Sequence, residues 1–181
     1  MTLSELKIFS ESLGYTESGG DYYNETGSYW GKYQFGEARR KDIEQMLGLH
    51  HLNRTEFTPD VQEIFFRTHV NDIEQKIFLL GLDKYFDRIV EGKGNKIVTQ
   101  INKCGLIAGA HLGGFVGMKN FLTSNYSYDP KDSNGTYISD YVAKFSELTE
   151  KKNSIFNLAG LNNPIIIGLF AGLIATRIFK K

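Results

Sequence analysis

The stripe Leu6, Phe9, Leu13 and Glu17, followed at once by Gly19-Gly20, constrains this chain more than any other stretch. Spacings of three, four and four put all four residues on one face of a helix, so the last position of an apolar stripe is a carboxylate. Burial there would disfavour the charged form, which suits a group that must donate a proton near neutral pH. The competing expectation is a helix-end glutamate that simply points into water, where most glutamates lie. Glycine adopts positive φ without steric cost, so Gly19-Gly20 stops the helix and leaves open backbone beside the side chain. At the other end Thr2-Leu3-Ser4-Glu5 fits a capping box, predicting a first helix from about Leu3 to Tyr15.

Glu17 to Gly36 reads as an irregular segment with a short hairpin near Glu25-Thr26-Gly27. It is dense in Tyr22, Tyr23, Tyr29, Trp30 and Tyr33. Their rings pair an apolar face with a polar edge, which suits either a sugar surface or a small core. A second helix should bury Ala38, Ile43, Met46 and Leu47 and end at Gly48. His50-His51 are adjacent, so they do not share a helix face, and no carboxylate stands at ligand spacing; a metal site is not expected. Thr58-Pro59-Asp60 starts a long helix, with Thr58 as cap and Pro59 in the first turn. Val61, Ile64, Phe65, Thr68, Ile73, Ile77 and Leu80 describe its amphipathic stripe and Gly81 closes it; His69 within it reads as packed or solvated rather than catalytic. Asp83 to Val90 is expected to be a short helix and Gly92 to Asn95 a loop.

Lys96 to Leu112 should form a central helix, closely packed because Gly105, Gly109 and Ala110 interleave its apolar residues. Gly113-Gly114 would end it, leaving His111 in the last turn, either as a donor into a cleft or as a cap on the final carbonyls. A short helix from Phe115 to Thr123 follows. In the polar loop after it, Asp129, Asp132 and Asn134-Gly135 lack the alternating ligands and distal glutamate of a calcium loop and read as Asx turns. Thr136 can then cap a helix carrying Tyr137, Tyr141, Val142 and Phe145 on one side.

Glu17-Ser18-Gly19-Gly20 with Gly31-Lys32-Tyr33-Gln34-Phe35-Gly36 resembles the glutamate motif and the downstream Gly-Leu-Met-Gln-type motif of the lysozyme-like lytic transglycosylases. Ala110-His111-Leu112-Gly113-Gly114 is similar to their Ala-Tyr-Asn-Ala-Gly motif, and Asp140-Tyr141-Val142 to their late Tyr-Val motif. The spelling looks most like phage-associated murein hydrolases of that superfamily. The resemblance implies a mainly α, lysozyme-like domain over residues 1–148. It also implies cleavage of the linkage between N-acetylmuramic acid and N-acetylglucosamine in peptidoglycan, without a cofactor.

Carried over on the same resemblance, Glu17 is the acid/base and Ser18, Tyr33, Gln34, His111 and Tyr141 face the substrate. His111 stands in place of a tyrosine and Leu112 in place of an asparagine, so an anhydro product, as in transglycosylases, and a hydrolysed one, as in muramidases, both stay open. A second carboxylate would be needed for a two-carboxylate hydrolase, and Asp21 and Glu25 are the near candidates. A third possibility is a catalytically silent murein-binding or virion structural protein, since fold alone does not carry function.

A chain of 181 residues, 41% of them hydrophobic, is ample for one core. Its formal charge of zero offers no bulk basic surface for nucleic acid. The one cysteine, Cys104, forms no internal disulfide and sits among apolar residues. The amino end carries no cationic start with an apolar run, as a cleavable export signal would.

Residues 149–154 read as a charged linker and 155–181 as a hydrophobic tail. Ile165 to Thr176 is apolar on every face, which is unlike a surface helix. Arg177, Lys180 and the upstream Ile155 to Leu161 lengthen it toward a membrane span. Gly168 and Gly172 have the spacing of a helix-helix contact in lipid. The expectation is a membrane-anchored protein facing murein, in a bacterial envelope or a phage virion that contains a membrane; a buried core helix or a helix docked on a protein partner is the alternative.

Overall fold

Thr2 Oγ1 accepts from the Glu5 amide at 3.2 Å while the Thr2 amide donates to Glu5 Oε2 at 2.8 Å. The capping box is therefore formed, and it starts helix α1, Leu3–Ser18. Phe9 and Leu13 are fully buried along its length. Gly19, at φ 70°, closes it one turn later than the sequence pattern suggests, so Glu17 lies within the last turn. The structure, a computed structural model, describes the backbone of residues 1–158 and the side chains of residues 1–148.

Among the described residues 57% lie in five helices, with two small sheets beside them. After α1 come an antiparallel hairpin, β1 (Glu25–Thr26) with β2 (Tyr29–Trp30), then α2 (Glu37–Leu47) and α3 (Pro59–Leu79). A second hairpin, β3 (Ile89–Glu91) with β4 (Val98–Gln100), leads to α4 (Lys103–Thr123) and α5 (Ile138–Leu158). Aromatic rings fill the centre: Phe66 stacks on Tyr33 at 4.2 Å, and Phe9 lies 5.8 Å from Phe66 and 5.7 Å from Phe145.

Three expectations are corrected. Residues 83–90 do not form a helix: a 3-10 turn, Leu82–Tyr85, is followed by Asp87 at φ 64° and then by β3. Ile89, Val90 and Glu91 alternate out, in, out, a period of two that a short apolar run conceals. The central helix starts at Lys103 rather than Lys96, because residues 98–100 pair with β3 and Asn102 takes the cap by accepting from the Gly105 amide at 3.2 Å. In α2 the inward residues are Arg40, Ile43 and Glu44, whereas Met46 is exposed. Arg40 lies over the Trp30 ring at 3.6 Å and donates to the Ser28 carbonyl; Glu44 accepts from His51 and from the Leu52 amide. The charges are buried because each has partners waiting.

α4 and α5 approach closely through glycine. A Cβ on Gly105 would stand 2.5 Å from the Val142 carbonyl oxygen, and one on Gly109 2.7 Å from Val142 Cγ2. Gly113, one further turn along, meets Ile138. This stripe at intervals of four brings the backbones together and so sets where Tyr141 stands relative to His111. Gly114, at φ 70° and ψ 161°, breaks α4 just past His111, at the glycine pair expected to end the helix.

α5 continues as helix through the segment read as a charged linker. The hydrophobic tail beyond Leu158, with Gly168 and Gly172, lies outside the described residues. Among the described residues no helix is long and apolar enough to cross a membrane.

Candidate active site

Three helices deliver three side chains to one point. The last turn of α1 brings Glu17, the turn of α4 before the Gly114 break brings His111, and the first turn of α5 brings Tyr141. The Tyr141 hydroxyl donates to Glu17 Oε1 at 2.8 Å. His111 Nε2 stands 3.8 Å from the same oxygen, beyond direct hydrogen-bond range. Glu17 Oε2 takes no hydrogen bond from the described residues, and the side chain is 16% exposed. The carboxyl is thus anchored by one oxygen and open at the other.

Burial, followed by the negative charge of Glu17, raises the Tyr141 pKa, so the phenol keeps its proton and remains a donor. Burial lowers the pKa of His111 despite the attraction of Glu17, so its ring is neutral. His111 Nδ1 lies 3.2 Å from Nε2 of His69 on α3, whose pKa burial drives well down, with His111 and Arg39 adding to the effect. Arg39 Nε donates to His69 Nδ1 at 2.9 Å, and its Nη2 to Asp72 at 2.8 Å. The Phe35 ring meets both imidazoles edge to face, at 5.4 and 5.6 Å.

Beside Glu17 runs a groove of about 580 Å³, walled by Thr26, Gly27, Tyr29, Gln34, His111 and Asp132 among others. Across Asp132 and Asn134 it joins a second hollow of about 510 Å³ that includes Tyr141 and Lys144. Across Tyr29, Gln34 and His111 it joins a third of about 530 Å³ toward Arg39 and Phe115. Glu17 therefore sits on the wall of a trough open on both sides, the shape an extended chain would need.

Of the residues expected at the site, Glu17, Gln34, His111 and Tyr141 line this trough. Gln34 sits at φ 47° and donates from Nε2 to Asn24 Oδ1 and to the Gly31 carbonyl, which pins its turn at the groove wall. Ser18 instead donates to the Gly14 and Lys32 carbonyls, tying the Gly31–Gly36 turn to α1. Tyr33 is a correction: it is fully buried, its hydroxyl bound to Glu63 at 2.7 Å, and it belongs to the core. The neighbouring Lys32 carries its ammonium to Glu11, Glu63 and Tyr22, a cluster that binds the turn to α1 and α3.

Of the tyrosines and tryptophan in the irregular segment, Tyr29 lines the groove beside Glu17. Asp21 caps the Tyr23 amide and Glu25 pairs with Arg54; the carboxylate that shares the groove with Glu17 is Asp132, which its Asx-turn setting did not single out. His69 is packed, one of the two readings its helix allowed, and its link to Arg39 is what the sequence does not show. Their signal is a polar pair on two helices that otherwise read as scaffold, visible only once α2 and α3 are placed together. Among the described residues no group of three or more histidine, cysteine or acidic side chains is arranged to hold a metal.

No protein-family model matches this chain, and neither a curated protein nor a solved structure does.

Proposed function

We propose that residues 1–148 are a lysozyme-like domain of the lytic transglycosylase type, which cleaves the linkage between N-acetylmuramic acid and N-acetylglucosamine in peptidoglycan glycan strands. The observation that carries this is a single carboxyl, Glu17, tethered at Oε1 by Tyr141 and free at Oε2 on the wall of a trough open at both ends. With Oε1 occupied as an acceptor, the acid proton belongs on Oε2. That proton passes to the bridging oxygen as the bond to the anomeric carbon breaks, leaving an oxocarbenium-like sugar. The sugar's own C6 hydroxyl then attacks the anomeric carbon and returns its proton to Glu17, closing an anhydro ring and regenerating the acid.

A second outcome is favoured by Asp132, which shares the groove with Glu17 and could direct a water to the same carbon. The product would then carry a reducing end. The hydrophobic segment 155–181 is proposed to anchor the domain in a bilayer with its catalytic part facing murein, in an envelope or a membrane-containing virion; Gly168 and Gly172 would serve self-association.

The test is turnover of purified sacculi with mass analysis of the fragments. Wild type should clear them and Glu17→Gln should not, anhydro ends marking the transglycosylase and reducing ends the muramidase. If Glu17→Gln clears walls as fast as wild type, the catalytic assignment is wrong. If folded wild type leaves them intact, the chain is a murein-binding or structural protein.

A further inference from the structure

We propose that Arg39 and His69 are positioning residues that fix the tautomer of His111, so that its Nε2–H is presented to Glu17. The inference rests on Glu17 being the reacting group.

A guanidinium has donors and no acceptor, and it keeps its charge in proteins. Arg39 Nε donates to His69 Nδ1 at 2.9 Å, so that nitrogen carries a lone pair. A neutral His69 then bears its hydrogen on Nε2. Nε2 faces His111 Nδ1 at 3.2 Å and donates to it, so His111 Nδ1 is also an acceptor. A neutral His111 therefore holds its hydrogen on Nε2, the atom 3.8 Å from Glu17 Oε1.

Each step is held in place. Arg39 is tied to Asp72 at 2.8 Å and approaches Asp42 at 3.8 Å, and Asp72 is itself bound by Lys76 at 2.9 Å. Burial keeps both rings neutral. The charged and titratable groups around the pair are Glu17 from α1, Arg39 and Asp42 from α2, Asp72 and Lys76 from α3, and Tyr141 from α5. The chain also opposes charging of His111: a second hydrogen, on Nδ1, would meet the hydrogen already on His69 Nε2. Glu17 is thus flanked by two neutral donors, Tyr141 in contact and His111 at a distance that one water or substrate oxygen can bridge.

Long-range proton-nitrogen NMR on the nitrogen-15-labelled full chain, held in detergent at pH 7.5, reads each ring nitrogen directly. In wild type both His69 and His111 should be protonated on Nε2 alone. Arg39→Leu should release both rings into tautomer mixtures and lower kcat on murein about tenfold with KM within twofold, while Arg39→Lys, which restores a donor, should recover both readouts. Nδ1 protonation of either ring in wild type, or wild-type tautomers or kcat in folded Arg39→Leu, overturns the proposal. A rise in KM alone would make Arg39 a substrate contact instead, and also overturns it. If Arg39→Leu does not fold, the wild-type tautomers and Arg39→Lys decide. Tautomers need no substrate: a chain with the expected rings that leaves murein uncut refutes the activity and not the relay.

Discussion

Tyr141→Phe isolates the one direct hydrogen bond on the Glu17 carboxyl. The variant deletes a hydroxyl and keeps a ring that is nearly buried and lies 5.5 Å from the Phe145 ring, so packing is conserved. The deleted bond is 2.8 Å long and runs to Oε1. In the proposed reaction this is a neutral hydrogen bond of about 0.5–1.5 kcal/mol while the carboxyl carries the acid proton, and it becomes charge-assisted, at about 1.5–3 kcal/mol, once that proton passes to the leaving oxygen. Only the difference, about 1–2 kcal/mol, accelerates proton transfer, because only what strengthens on the way to the transition state counts. The expected loss is about 5–30-fold in kcat, with KM changed less than about twofold. Initial rates of sacculus clearing against murein concentration, beside a urea melt showing intact folding, measure it. A folded variant with kcat within twofold of wild type would refute the claim that Tyr141 holds the charge on Glu17. A rise in KM alone would move Tyr141 to substrate binding.

Two further predictions concern stability. Lys32→Met should cost about 2–3 kcal/mol in urea unfolding, because it strips Glu63 and Tyr22 of a buried partner, and less than a fully buried pair would lose because Glu11 and Glu63 are partly exposed. His69 and His111 have native pKa values below the ordinary 6.5, so the unfolded chain binds their protons first as pH falls. Stability should therefore be lost below about pH 6.5, by up to about 1.4 kcal/mol per pH unit for each histidine excluded from protonation. His69→Phe should shallow the slope between pH 6.5 and 5, above the window where Glu63 and Glu74, whose pKa values are lowered, begin to take up protons; an unchanged slope would remove His69 as its source.

The elements legible in the sequence are those whose ends are chemically marked. Thr2 and Glu5, Thr58 and Pro59, and Gly48 state where helices start or stop through local bonds, and the backbone obeys them. The β3–β4 hairpin was not legible because Ile89-Val90 is too short for a period to declare itself, and what fixes it is remote: Asp140 Oδ1 accepts from the Gly94 and Asn95 amides of its turn at 2.7 and 2.9 Å. The inward positions of Arg40 and Glu44 are hidden for a related reason. A periodicity argument sends charge outward, and only the folded neighbours, Trp30 for one and His51 for the other, make the inward position favourable.

The same distinction runs through the site. Glu17 and His111 could be paired from sequence because each precedes a glycine that breaks its helix, and a helix break opens backbone toward a cleft. Tyr141 enters through the glycine stripe of α4, which lets α5 come close enough for its hydroxyl to reach across to α1. The placements of Arg39, His69 and Asp132 beside the site are not legible, because they depend on geometry between elements: a guanidinium on α2, an imidazole on α3 and a turn carboxylate come to the trough only after the core has closed. Tyr33 fails in the opposite sense. Motif spacing sent it to the substrate, but its ring has a stacking partner in Phe66 and its hydroxyl an acceptor in Glu63, so burial satisfies both halves of the side chain and leaves nothing to project into the groove.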